Sequence, residues 1–313
     1  MKKIAITLGD LNGIGPSIAL KEHNKIKKLC DPIYIINSSL LEQISSLLNI
    51  KIPKDFKIVE LDKKLEFNIK PAKISKKSGL YSYKAFLKAI DLAKKNEVDA
   101  IATLPIHKKA WEKAGVKEIG HTEVLESVFD KKAIMMIGSS KLFCSFFTHH
   151  IPLKKVPKMI KIKRLKKFLL NFYNSIKASK IGVLALNPHA GDDGVLGDEE
   201  KKIKKAIKKA NKKLNQEIFI GPLVPDTAFI PKNIKEIKHF ICMYHDQGLI
   251  AIKSLFFEES INVSLNLPII RTSVDHGVAF DIAYKDKNFS TKSYINAIKE
   301  AIKFSKAKKQ IKE

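Results

Sequence analysis

An alternation constrains this chain more than any other feature. Short apolar runs recur along its 313 residues, and most are followed by a stretch with apolar residues at helical spacing. Ile4–Leu8, Ile33–Ile36, Ile58–Leu61, Ala100–Leu104, Ile134–Ile137, Phe143–Thr148, Ile181–Leu186 and Phe240–Met243 read as buried strands. Ile14–Leu29, Tyr81–Asn96, Val156–Ala178, Glu199–Leu214 and Tyr294–Phe304 read as amphipathic helices, with Lys306–Glu313 a polar tail. Strands and helices in alternation predict an α/β fold with a mostly parallel sheet covered by helices. No internal repeat or long linker interrupts the pattern, so any division into domains requires the chain to cross back and forth.

Composition removes several function classes. With 45% hydrophobic and 29% charged residues the chain is an ordinary globular one rather than a disordered one. No window approaches the roughly 18–20 apolar residues of a membrane helix. The apolar stretch in MKKIAITLGD is too short for a secretory h-region. Cys30, Cys144 and Cys242 lie far apart, which fits a reducing compartment, so a cytoplasmic, soluble protein is expected. A net charge of +26 suggests nucleic acid, but only Arg164 and Arg271 among 58 basic residues are arginine. Phosphate and base readout favours arginine's planar fork, so the lysines read as solvated faces and no nucleic-acid partner is expected. The same scarcity singles out Arg271.

Four groups of residues could carry chemistry. Gly9-Asp10-Leu11-Asn12-Gly13-Ile14-Gly15-Pro16 follows the first strand and opens a helix. It is either an anion-holding helix N-terminus or simply a tight turn, and it lacks the GxGxxG spacing of a standard dinucleotide fold. Thr103-Leu104-Pro105-Ile106-His107-Lys108 and Gly120-His121-Thr122-Glu123 follow the strand at Ala100, at the sheet end where ligands bind in open α/β folds. Thr122 serves there as a ligand hydroxyl or as a helix cap. His150, His189 and His245 each stand on a loop leaving a strand. Three imidazoles can hold a divalent metal with one position open to substrate, although polar loop histidines would leave the same trace. Lys253, Asn262 and the run LPIIRTSVDHG around Arg271 offer a point charge, an orienting amide and a bidentate fork for an anion.

Together these segments resemble the 4-hydroxythreonine-4-phosphate dehydrogenase family of vitamin B6 synthesis over nearly the whole chain. The resemblance rests on ITLGDLNGIGPS, TLPIHKKAWEKAGVKEIGHTEVL, THHIPLKKV, LALNPHAGDDGVLGDEE, GPLVPDTAF, MYHDQGLIAIK and LPIIRTSVDHGVAFDIA, in the family's order. Leu11, Ser17, Leu104 and His149 depart from the usual proline, glutamate, small residue and threonine. The resemblance implies the α/β/α sandwich of the isocitrate and isopropylmalate dehydrogenases, with two subdomains flanking a cleft. They are expected at 1–130 plus 275–313 and at 131–274, the latter carrying the metal ligands and the dimer interface.

The resemblance further implies a divalent metal on His150, His189 and His245, zinc first, with magnesium or cobalt as alternatives. It places a small phosphorylated substrate near His121, Thr122, Lys253, Asn262 and Arg271. Lys253 and Asp226 are the catalytic candidates, Asp226 as an orienting acid near the metal. NAD or NADP is expected against Gly13, Gly15, Asp275, His276 and Gly277; the lack of an evident arginine for a 2′-phosphate favours NAD. A homodimer with active sites at the subunit interface is implied, and no membrane partner. The chemistry expected is oxidation of 4-phosphohydroxy-L-threonine and decarboxylation to 3-amino-2-oxopropyl phosphate. A paralogue acting on threonate or erythronate 4-phosphate is the nearest alternative, and a three-histidine metallohydrolase the alternative of another class.

Overall fold

A computed structural model describes residues 1–285 and 288–309. Its strands are β1 (Lys3–Thr7), β2 (Asp31–Ile35), β3 (Ile58–Val59), β4 (Ala100–Thr103), β5 (Ile134–Ser139), β6 (Leu142–Phe146), β7 (Ile181–Leu184), β8 (Phe219–Leu223), β9 (His239–Cys242), β10 (Ile261–Leu265) and β11 (Arg271–Val274). Its helices are α1 (Gly15–Ile26), α2 (Ser38–Leu48), α3 (Lys76–Lys94), α4 (Lys108–Lys113), α5 (His121–Phe129), α6 (Val156–Met159), α7 (Ile162–Ile176), α8 (Glu199–Leu214), α9 (Pro231–Glu236), α10 (His245–Phe256) and α11 (Lys292–Lys309). The expected α/β class is observed.

The chain forms two compact units, Met1–Ala133 with the chain from Ile261 onward, and Ile134–Ser260. The return crossing precedes the expected 274/275 boundary because β11 hydrogen-bonds in parallel to β4 and carries β10 antiparallel beside it. Both strands are therefore part of the first unit.

The first unit orders its strands β3-β2-β1-β4-β11-β10, all parallel except the last pair. Side chains alternate across a strand, so Ala5, Ile35 and Ile101 face α3, where Phe86, Ala89 and Ile90 cover them. Tyr34 points to the other face, beside Tyr294 of α11 and His23 of α1. The second unit runs β5-β6-β9-β7-β8, antiparallel only between β5 and β6. Cys144, Phe146, Phe240 and Cys242 form its core with Ile252 of α10.

Several elements differ from expectation. The single helix expected over Val156–Ala178 is broken, because Ile160 takes ψ 88° and Lys161 restarts the chain in extended conformation. The tail expected at Lys306 is helical to Lys309; residues 310–313 lie outside the described residues. Strands β8, β10 and β11 have no counterpart in the apolar pattern. The first carries Pro222, and the other two bury polar Ser264, Thr272, Ser273 and Arg271.

Candidate active site

The first unit buries a cation that forms no ion pair among the described residues. Arg271 opens β11 and is only 4% exposed. Its Nε and Nη2 donate to Thr103 Oγ1 at 3.1 and 2.7 Å, and its Nη1 donates to Ser264 Oγ at 3.4 Å. Register explains the meeting: Ser264 stands opposite Arg271 on β10, and Thr103 ends the neighbouring β4. Among the described residues no carboxylate forms an ion pair with Arg271. Burial pushes its pKa down to about 9, opposed by the charge of Glu123, so it stays cationic at neutral pH. Burying a charge unpaired costs several kcal/mol, which folding alone would not favour.

His121 lies against this cation. It is the first residue of α5, after Gly120, with Phe86 and Trp111 edge-on at 4.5 and 5.4 Å. Burial, and then the Arg271 charge, hold its pKa well below the usual histidine value, so the ring is neutral. Its Nε2 is buried with no hydrogen-bond partner. Thr122, weighed as a cap, is instead the second helical residue and half-buried. Asn262 sits two residues from Ser264 on β10, on the same face, and its Oδ1 is also buried without a partner. Arg271, His121 and Asn262 thus present unsatisfied polar capacity, and a phosphate or carboxylate has the complementary chemistry.

The glycine-rich loop of the same unit is closed by protein. Asp10 Oδ1 accepts from Asn12 N and the Ser78 hydroxyl, Tyr284 donates to Leu11 O, and Ile14 N donates to Val278 O. A Cβ on Gly13 would stand 2.9 Å from Val278, and one on Gly15 would strike the Leu8 carbonyl. These glycines let backbone pack on backbone. Gly277, by contrast, has nothing within 4 Å of its Cβ position, and it and His276 are exposed. Asp275 N donates to Ser293 Oγ.

The second unit carries the histidine loops. Thr148 closes onto the end of β9 through its amide and hydroxyl, both donating to Met243 O. This zips the loops after β6 and β9 together and sets the His150 and His245 rings 5.5 Å apart. They line a cleft of about 170 Å³ with His149, Tyr244 and Asp246. Asp246 Oδ1 lies 2.7 Å from His245 Nδ1, which leaves Nε2 as the nitrogen that could take a ligand. The donor chemistry of this pair fits a divalent transition metal.

His189 is not brought to them. It is exposed, at the head of a run of left-handed residues from His189 to Asp193, and makes no hydrogen bond, ion pair or ring contact among the described residues. Among the described residues no three His, Cys, Asp or Glu side chains gather closely enough to hold a metal. Lys253 projects from α10 with Nζ 5.2 Å from the Phe257 ring centroid. Asp226 is exposed on a turn after β8.

Comparison with known proteins decides the family. The model of the pyridoxal phosphate biosynthetic protein PdxA family matches residues 28–301. The chain belongs to the PdxA family. A 4-hydroxythreonine-4-phosphate dehydrogenase of Sulfurimonas denitrificans is 57% identical over 96% of this chain and 97% of its own. One of Helicobacter pylori is 46% identical over 95% and 98%. The crystal structure of the Klebsiella pneumoniae enzyme of that name matches with a TM-score of 0.82 at 29% identity, covering 97% of this chain and 98% of the other. A terephthalate 1,2-cis-dihydrodiol dehydrogenase of Burkholderia xenovorans, at 21% identity and a TM-score of 0.69, shares the fold. PdxA proteins are oxidoreductases, and so is this chain. No helix among the described residues is long and apolar enough to cross a membrane.

This PdxA-family chain also holds its loops with residues inside the quoted motifs to which the sequence reading gave no role. Glu200, 8% exposed on α8, accepts from Leu186 N and Asn187 N at 2.9 and 2.8 Å and from Asn187 Nδ2. Burial pushes the carboxyl up, but these donors outweigh it and hold the pKa below the usual value. Gln247 ties Met243 N to Ala185 O, joining the ends of β9 and β7. Their sequence signal is their place in the runs LALNPHAGDDGVLGDEE and MYHDQGLIAIK.

Proposed function

We propose that this enzyme oxidises 4-phosphohydroxy-L-threonine at C3 with NAD or NADP and a divalent metal, yielding 3-amino-2-oxopropyl phosphate and CO2 in pyridoxal phosphate synthesis. The observation that carries this reading is the buried, uncompensated Arg271 beside a neutral His121 in a PdxA-family chain. Arg271 holds an anionic group of the substrate, while Asn262, Thr122 and His121 orient its polar atoms without adding charge. Lys253 supplies a second cation, for the phosphate or for proton transfer.

His150 and His245 hold the metal, with His189 arriving from a second subunit of a homodimer. Exposed apolar side chains support that assembly. Leu153 follows the His150 loop, Val195 and Leu196 follow His189, and Ile250, Leu255 and Phe257 lie on or just after α10. Val195 is 80% and Phe257 70% exposed, which is costly in water and relieved by a partner. Asp226 orients a ligand of the same centre. Asp275, His276 and Gly277 face the nicotinamide cofactor, with Gly13 and Gly15 shaping the loop beside them. When bound, the metal stabilises negative charge on oxygen and the nicotinamide takes up a hydride. Oxidation at C3 puts a ketone β to the carboxylate, from which CO2 is lost.

The test is an absorbance assay for NAD(P)H with 4-phosphohydroxy-L-threonine, with each cofactor, and with and without chelator. Reduced cofactor that depends on metal, with the aminoketone phosphate as product, supports the reading. Faster turnover of threonate or erythronate 4-phosphate changes the substrate. Phosphate release without NAD(P)H replaces the reading with a hydrolase.

A further inference from the structure

We infer that Thr103 is the positioning residue of the anion site. Its hydroxyl fixes the Arg271 fork so that two N–H groups remain for a ligand, a claim that rests on the substrate reading above. A guanidinium has five N–H donors. Thr103 Oγ1 takes two of them, from Nε and Nη2, and Ser264 Oγ takes a third from Nη1. The remaining two, one on each terminal nitrogen, have no acceptor among the described residues.

The partner chemistry matters. A carboxylate at either place would orient the fork equally well but would cancel its charge. A hydroxyl oxygen orients it and leaves the cation uncompensated in a dry setting, where its attraction for an anion is strongest. Thr103 is 2% exposed and Ser264 2%, so neither hydroxyl is a surface accident, and both side chains are fixed by strand register around Arg271. The hydroxyls therefore select for an anion and pre-set the direction from which it is bound. Thr103 itself need not touch the substrate.

The experiment compares Thr103→Val, Thr103→Ser and Ser264→Ala with the wild-type enzyme. The quantities are kcat and KM for 4-phosphohydroxy-L-threonine, and the affinity for inorganic phosphate by calorimetry. Thr103→Val keeps the volume and loses the acceptor. It should raise KM and weaken phosphate binding by roughly tenfold or more, with kcat within about twofold. Thr103→Ser should restore both to near wild type, and Ser264→Ala, which removes the longest bond, should do less damage than Thr103→Val. Unchanged phosphate affinity in Thr103→Val overturns the inference, as does Thr103→Ser behaving like Thr103→Val. If Thr103→Val does not fold, Thr103→Ser decides it: phosphate affinity kept with serine supports the claim, and loss with serine sinks it. A wild-type enzyme that binds phosphate but does not turn over this substrate defeats the substrate reading alone, and the phosphate affinities still judge Thr103.

Discussion

The two units solve opposite problems with the same strand-end geometry. In the first, Arg271, Thr103, Ser264 and His121 stand on β11, β4, β10 and the start of α5, buried and in register. Nothing further is needed to place them. In the second, His150 and His189 stand on exposed loops, both in the left-handed region at φ 51° and 50°. That conformation costs a non-glycine residue about 1–2 kcal/mol. Two imidazoles meet and the third stands apart. An anion site can be built within one unit because its ligand arrives complete, whereas a metal site needs several donors at once and can leave one of them to a partner.

This contrast can be broken most sharply at the His150–His245 pair. His245→Ala should abolish turnover and metal content together in a folded protein, by elemental analysis. Turnover that persists without metal would remove the second unit from the chemistry. Next in size, Val195→Asp combined with Phe257→Asp should convert the proposed dimer to monomers by sedimentation and lower metal content in parallel. Monomers that keep their full metal would show that His189 is not shared. Arg271→Lys should raise KM by on the order of tenfold or more with metal unchanged, since a point charge cannot replace the fork. Glu200→Gln places an amide against two backbone N–H donors and should weaken metal binding by roughly tenfold or more, read by cobalt titration. An equal affinity would mean that the His189 loop holds itself.

The smallest effect concerns acid stability and sharpens the picture of the first unit. His121 and His23 both have folded pKa values below the usual one, chiefly from burial. A histidine depressed in this way contributes stability above its unfolded pKa, near 6.5. That contribution is lost as pH falls, because the unfolded chain takes up the proton more readily. Thermal stability should therefore decline from about pH 6.5 downward, and His23→Gln should flatten the decline. An unchanged slope would show that the His23 ring is not buried neutral.

Much of this was legible before any coordinates. The apolar runs gave β1 to β7 and β9 to within a residue or two, because a strand buried on both faces must be apolar throughout. They missed β10 and β11 because Asn262, Ser264, Arg271 and Ser273 occupy places where packing alone would choose valine or isoleucine. The helix opening at His245 was hidden too. Tyr244 offers no side-chain cap, and the helix buries little beyond Gly248 and Ile252.

The sequence by itself determined the α/β class, the scarcity that made Arg271 informative, and the motifs that place the chain among PdxA proteins. Only the tertiary structure decided that Arg271 forms no ion pair among the described residues, that hydroxyls from two other strands hold it, and that His150 and His245 meet while His189 does not. The physical reason is that residue types and their spacing along the chain fix local conformation, whereas charge compensation and the meeting of side chains depend on strand register and loop closure between segments far apart in sequence.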